Sequence, residues 1–288
     1  MIDLLAIVGQ TATGKTALSL RVAQSIPSEI ITGDSKTIYK TLDIGTAKPS
    51  KSDQKLVKHH LIDVVEPNET FNVYQFQTLA SRAIQQIHGQ SKLPILVGGS
   101  GLYMDSILND YKFEGREVFE QDRQALNQLT TPQLQQRIQK LNLTMPENNQ
   151  NRRYLLRTLE RGQVQQTSLN RRANTLIIGL HLNREVLSQR IQLRLTEMLN
   201  QGVLEEIRRV LQMPAVQPEV LTSNIYRAFK PYFEQKITFQ EACSDFIRRD
   251  LALAKKQWTW FKRYPDISWF ESSDLAYNYI VRQLNIKK

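Results

Sequence analysis

Residues Gly9-Gln10-Thr11-Ala12-Thr13-Gly14-Lys15-Thr16 match the pattern G-x-x-x-x-G-K-[ST] without a mismatch. The pattern works only where a buried strand delivers the chain to the loop and a helix begins at its far end. Both flanks are present. Residues 4–8 are an apolar run, and Ala17, Leu18, Leu20, Val22 and Ala23 follow with helical patterning. The glycines let successive backbone N–H groups turn toward an anion, and the helix start adds partial positive charge. Lys15 contributes a full charge, and the Thr16 hydroxyl can sit on Mg2+. The loop therefore binds phosphate, with ATP as the default guess for whose phosphate it is.

The rest of the chain fits an α/β fold with a P-loop NTPase-like parallel sheet flanked by helices. Further β-type runs are expected at residues 29–32, 60–65, 93–97 and 175–182, with a helix over 72–88. Strands alternating with helices imply βαβ units. Between residues 114 and 171 the composition shifts to Gln, Asn and Arg with few β-branched runs, which predicts an all-helical insertion. The expected division is a catalytic core of residues 1–112 and 173–288 around an insertion domain of 113–172. After residue 182 the chain reads as mainly helical to residue 256.

A nucleotide hydrolase usually carries an acid at the end of a buried strand to hold Mg2+. Here the best buried strand, Ile95 to Val97, runs into Gly98-Gly99-Ser100 with no carboxylate. That argues against a motor or switch ATPase and leaves a small-molecule kinase open. Asp34 follows the second strand, so it shares the ligand-binding edge of a parallel sheet with the phosphate loop. It is a candidate base or a helix-capping loop residue, and position alone does not choose.

The stretch from Gly33 to Pro49 carries D-S-x-x-[IV]-Y and D-I-G-T-A-K-P elements, as Asp34-Ser35-Lys36-Thr37-Ile38-Tyr39 and Asp43-Ile44-Gly45-Thr46-Ala47-Lys48-Pro49. It resembles the tRNA dimethylallyltransferase (isopentenyltransferase) family. His59-His60-Leu61-Ile62-Asp63, Val97-Gly98-Gly99-Ser100-Gly101-Leu102-Tyr103 and Ala254-Lys255-Lys256-Gln257-Trp258-Thr259-Trp260-Phe261 resemble later elements, in the family's order. The resemblance implies that residues 9–16 hold dimethylallyl diphosphate, with ATP not consumed. The prenyl group would pass to N6 of adenosine 37 beside the tRNA anticodon, and pyrophosphate would leave with Mg2+ assistance. Asp34 would take the amine proton, and Ser100, where the family has Thr, would orient amine or base. Lys15, Arg190 and Arg194 would stabilise the diphosphate, with Arg194 matching the family's diphosphate-contacting arginine. Spacing alone makes the two arginines only helix-surface neighbours.

The net charge is +10, which hints at a polyanionic partner. The insertion supplies Arg152, Arg153, Arg157, Arg161, Arg171 and Arg172. The C-terminal part supplies Arg248, Arg249, Lys255, Lys256, Lys262 and Arg263 among Trp258, Trp260 and Phe261. Phosphate contacts with aromatic faces suit single-stranded RNA. The family match implies tRNA contacts at Asp34, Ser35, Lys36, Thr37, Ser100, Arg123, Arg153, Arg157, Lys255 and Lys256. Besides Ser100, four places depart from the family: Ser35-Lys36-Thr37, Gln150-Asn151, Ile225 in place of Gly, and Asp250-Leu251-Ala252 with one arginine missing. They suggest an intact diphosphate site and altered or weaker tRNA recognition. Competing readings are a prenyltransferase for free adenine nucleotides, a P-loop kinase and an RNA-binding protein with a relic site. No run nears the roughly 20 apolar residues of a membrane span. The one cysteine, Cys243, cannot form an internal disulfide. A cytoplasmic monomer is expected.

Overall fold

The computed structural model describes residues 2–111, 125–161 and 171–286. The chain divides into two compact units, residues 1–108 with 172–288, and residues 109–171.

In the larger unit β1 (Leu4–Gly9) reads LLAIVG and is buried at every position. A strand covered on both faces needs such an unbroken apolar run. It pairs in parallel with β4 (Leu93–Val97) on one side and β5 (Thr175–Leu180) on the other. Outward from β4 lie β2 (Ser28–Thr32) and β3 (His59–His60), and outward from β5 lies β6 (Ser268–Phe270), giving the order β3-β2-β4-β1-β5-β6 with every pair parallel. This is the expected P-loop NTPase-like α/β sheet. The phosphate loop leaves its interior, where helices cover both faces.

On one face α1 (Lys15–Ser25) and the C-terminal α11 (Ser273–Gln283) pack through Leu18, Val22, Ala276 and Ile280. On the other, α3 (Val73–Gly89) and α4 (Gly101–Leu108) pack through Phe76, Ile84, Met104 and Ile107. The surface helix α2 (Lys51–Leu56) buries none of its residues. A separate helical core joins α7 (Arg184–Asn200), α8 (Val203–Gln212), α9 (Asn224–Phe233) and the long α10 (Phe239–Phe261) to Ile38, Tyr39 and Leu42. Helix α10 belongs to both cores: Phe246 lies in the helical one and Phe261 in the sheet-facing one.

The smaller unit pairs α5 (Thr131–Lys140) with α6 (Arg152–Arg161) around Leu126, Leu134, Ile138 and Leu155.

Three expectations need correction. The run at residues 60–65 forms a strand only at His59–His60, because Leu61 and Asp63 take φ of 64° and 56° and the chain turns away. The fifth strand stops at Leu180, and the helical C-terminal stretch reaches Phe261 rather than residue 256. Strand β6 and helix α11 were not anticipated.

Candidate active site

The phosphate loop is bent by left-handed residues, with φ of 135° at Gly9, 61° at Ala12 and 93° at Gly14. Gly9 has no room for a side chain, because a Cβ there would run into the Leu180 carbonyl. Lys15 Nζ donates to Gln10 O at 2.5 Å, and Thr13 Oγ1 donates to the same carbonyl at 2.8 Å. Burial depresses the Lys15 ammonium to about 8. The Asp34 carboxylate opposes that shift and Arg194 adds to it. A cation so desolvated is poised for an anion.

The loop forms one wall of a cavity of about 660 Å3 lined also by Asp34, Ser100, Arg194, Lys256 and Trp260. The sequence brings these together because β1, β2 and β4 are adjacent and end at the same edge. The loops after β2 and β4 touch backbone to backbone. A Cβ at Gly98 would overlap the Gly33 carbonyl, and Gly33 N donates to Val97 O at 2.7 Å. Ser100 Oγ accepts from Ser35 N at 3.0 Å, so this hydroxyl fixes the residue beside Asp34 rather than its carboxylate. Asp34 Oδ1 accepts from Lys36 N at 2.8 Å, in a turn and not at a helix start. Its Oδ2 takes no hydrogen bond among the described residues.

The phosphate-loop and arginine candidates divide. Thr11 through Thr16 line the cavity, while Gly9 and Gln10 do not. Buried Gln10 instead accepts from Leu182 N at 3.0 Å and braces the loop from behind. Arg190 donates to the carbonyls of Thr13 and Ala12 at 3.2 and 3.4 Å and lies outside the cavity lining, another brace. Arg194 reaches inside: its Nη1 donates to Thr11 Oγ1 at 2.7 Å, and its Nε is buried with no hydrogen-bond partner among the described residues. An orphaned guanidinium N–H at a phosphate loop is a donor awaiting an acceptor.

Several basic residues offered for RNA are committed within the protein. Lys36 Nζ donates to Glu219 O at 2.6 Å and Thr222 Oγ1 at 2.7 Å. Thr37 is buried. Arg248 and Arg249 pair with Asp245, and Arg263 with Asp105 at 2.6 Å. Trp260 donates to the same Asp105 carboxylate at 3.0 Å. Lys255 and Lys256 are exposed. In the smaller unit Arg152 donates to the carbonyls of Leu126, Asn127 and Leu129, and Arg171 to Asn109 at 2.9 Å. Arg153 and Arg157 lie on α6, with Arg153 exposed and Arg157 half-buried. Arg123 lies outside the described residues, as does the side chain of Arg161.

The D-I-G-T-A-K-P segment is built around a carboxylate that the sequence reading missed. Buried Glu206 on α8 accepts from the backbone N–H groups of Asp43, Ile44 and Gly45 and from the Tyr226 hydroxyl, each at 2.8 Å. Lys48, buried in turn, bonds Tyr39 O, Asp43 and Asp63 at 2.6, 2.8 and 2.5 Å. This places Gly45, Thr46 and Ala47 in the cavity wall. Ile225, where the family has glycine, sits inside α9, fully buried and against Gly45, and needs no special backbone freedom. Asp250 is buried, bonded by Asn224 at 2.7 Å and 3.7 Å from Arg194. Ile225 and Asp250 both line the cavity, so these two departures reach the phosphate site instead of lying only on an RNA side.

The family model described as IPP transferase matches residues 37–264. The chain belongs to the IPP transferase family. It is an enzyme, a prenyltransferase. The tRNA dimethylallyltransferases of Anoxybacillus flavithermus and Bacillus anthracis are each 34% identical to it, over 93% of this chain and 90% of theirs. Among solved structures, the full-length tRNA isopentenylpyrophosphate transferase of Bacillus halodurans matches with a TM-score of 0.74 and 30% identity, covering 99% of this chain and 97% of that one. A eukaryotic dimethylallyltransferase acting on tRNA shares the fold, with a TM-score of 0.80 at 23% identity over 98% of this chain and 77% of that one. Among the described residues no helix is long and apolar enough to cross a membrane.

Proposed function

We propose that this IPP transferase moves the dimethylallyl group of dimethylallyl diphosphate to N6 of adenosine 37 in tRNA, releasing pyrophosphate. The observation that carries the reading is the shared cavity. A phosphate loop, a carboxylate and a hydroxyl converge there, and β4 ends in glycines where an ATPase would hold its magnesium acid.

The diphosphate lies on the N–H groups from Thr13 to Thr16, with Lys15 and the free Nε of Arg194 toward its oxygens. As it leaves it gathers negative charge, which these fixed cations offset. Thr16 is the residue that would hold Mg2+. Among the described residues no three His, Cys, Asp or Glu cluster to hold a metal, which fits an ion that takes most ligands from phosphate and water. When bound, that ion neutralises leaving-group charge. The adenine amine is a weak nucleophile because its lone pair is delocalised. As the N6–C1 bond forms and the C1–O bond breaks, Asp34 Oδ2 accepts the amine proton. Ser100 and the Lys36 amide hold the Asp34 turn in place.

Adenosine reaches this depth only if flipped from its loop, which takes a few kcal/mol and is easiest where it is unpaired. Lys255, Lys256, Arg153 and Arg157 supply grip on the surrounding phosphates. The whole insertion, residues 113–172 as read from the sequence, serves as the tRNA-gripping domain. It favours tRNA over free nucleotides as the acceptor. A cytoplasmic monomer suits this role. Competition binding tests the donor: dimethylallyl diphosphate should bind and be lost in Lys15→Ala. ATP binding with phosphoryl transfer, and no binding of the prenyl diphosphate, would refute the reading.

A further inference from the structure

Helix α10 sends one amide between the phosphate loop and the loop that carries Ser100. Gln257 is buried on the α10 face that also buries Asp250, Ala254 and Phe261. Its Oε1 accepts from Thr11 N at 2.7 Å, and its Nε2 donates to Gly99 O at 3.2 Å. Gly99 has no room for a Cβ because Gln257 Nε2 fills that space. From Gly99 the chain enters Ser100, whose Oγ takes the Ser35 amide beside Asp34. A continuous path thus runs from the phosphate loop through Gln257 to the loop of the base.

We propose that Gln257 is a positioning residue that sets the distance between the donor's reacting carbon and Asp34. The inference rests on the prenyl-transfer reading of the site. The side chain must offer an acceptor to an N–H and a donor to a carbonyl from adjacent atoms, which an amide does and a carboxylate or thioether does not. Thr11 lies at the start of the loop, away from the Gly14-Lys15-Thr16 turn, so its N–H is free to serve as a tether. Transfer reactions are steep in geometry: a displacement of about 1 Å can lower the rate about 100-fold.

Two near-isosteric variants separate the arms. Gln257→Met removes both bonds, and Gln257→Glu keeps the acceptor for Thr11 but sets an oxygen against Gly99 O. At saturating donor and tRNA, kcat should fall about ten- to 100-fold in both. The donor Kd should change far less than kcat in Gln257→Met, the variant that adds no charge beside the phosphate loop. Backbone amide exchange gives a readout independent of turnover, with the amides of Thr11 and Ser35 accelerating together in Gln257→Met. A folded Gln257→Met or Gln257→Glu with wild-type kcat would overturn the proposal, as would a loss confined to donor Kd. Acceleration at Thr11 alone would also overturn it, since the two loops would then be uncoupled. Should Gln257→Met fail to fold, Gln257→Glu carries the same test. Wild-type protein that transfers no prenyl group would count against the prenyl reading, and the paired amide exchange would still decide the role of Gln257.

Discussion

Asp34 keeps one carboxylate oxygen on the Lys36 amide and leaves the other without a hydrogen bond in the cavity. Asp34→Asn preserves the size and the turn and removes the proposed base. We predict that kcat for prenyl transfer falls by about 100- to 10,000-fold while donor affinity is retained. Retained turnover would remove Asp34 from the chemistry. Lys15 gives a pH signature. Its free-enzyme value near 8 means the ammonium deprotonates as pH rises through 8. A bound diphosphate favours the charged form and raises that value. Affinity for a dimethylallyl diphosphate analogue should therefore be level below pH 8 and weaken by up to tenfold per pH unit above it. Calorimetry should record proton uptake on binding, and a flat profile from pH 7 to 10 would contradict the account. The phosphate-loop residues were legible as a set because each performs a backbone-defined task at fixed spacing. Spacing alone did not separate Arg190 from Arg194, since two arginines four apart look alike until the loop they face is known; only the family resemblance singled out Arg194. Arg152 and Lys36 read as RNA contacts because a sequence does not show which carbonyls a long side chain reaches.

At the scale of elements, Glu206 explains how α8 shapes the cavity from outside it. Three backbone amides and a tyrosine hydroxyl converge on one buried carboxylate. Burial, and then the Glu206 charge, pushes the Tyr226 hydroxyl upward, so Tyr226 remains a donor. Glu206→Ala would leave four donors unpaired, those of Gly45 and Tyr226 buried. Urea unfolding should show a loss of about 3 kcal/mol or more, and a loss within experimental error would contradict the assigned role. Strands β1 and β4 could be read from the sequence because buried parallel strands are continuous apolar runs. Strand β3 could not be bounded, because the apolar residues after His60 belong to turns pinned by Lys48 and Asp63. Strand β6 has three residues, below the length at which periodicity carries information. The Glu206 link joins residues 161 to 163 positions apart, and no local pattern reports it.

For the molecule as a whole, the chain leaves the larger unit after Leu108 and returns to it at Arg172. Arg172 N donates to Leu108 O at 2.9 Å, so the chain ends left by removing residues 109–171 already meet. Replacing that unit with a short Gly-Ser linker should leave a folded core with normal donor affinity. Transfer to tRNA should fall by at least about 100-fold, because phosphate contacts supply much of the affinity for nucleic acid. Undiminished transfer would locate the tRNA grip in the core. The departures at Ile225 and Asp250 bear on the same whole. Because they line the reaction cavity, altered function in this chain would show in kcat as well as in tRNA affinity. The central claim is the reaction itself. Mass spectrometry of nucleosides, after incubating the protein with Mg2+, dimethylallyl diphosphate and unmodified tRNA, tests it most directly. The account predicts N6-dimethylallyladenosine among the nucleosides of the treated tRNA, formed at least about 100-fold more slowly with Asp34→Asn. Unmodified tRNA in every sample, with an intact donor, would contradict it.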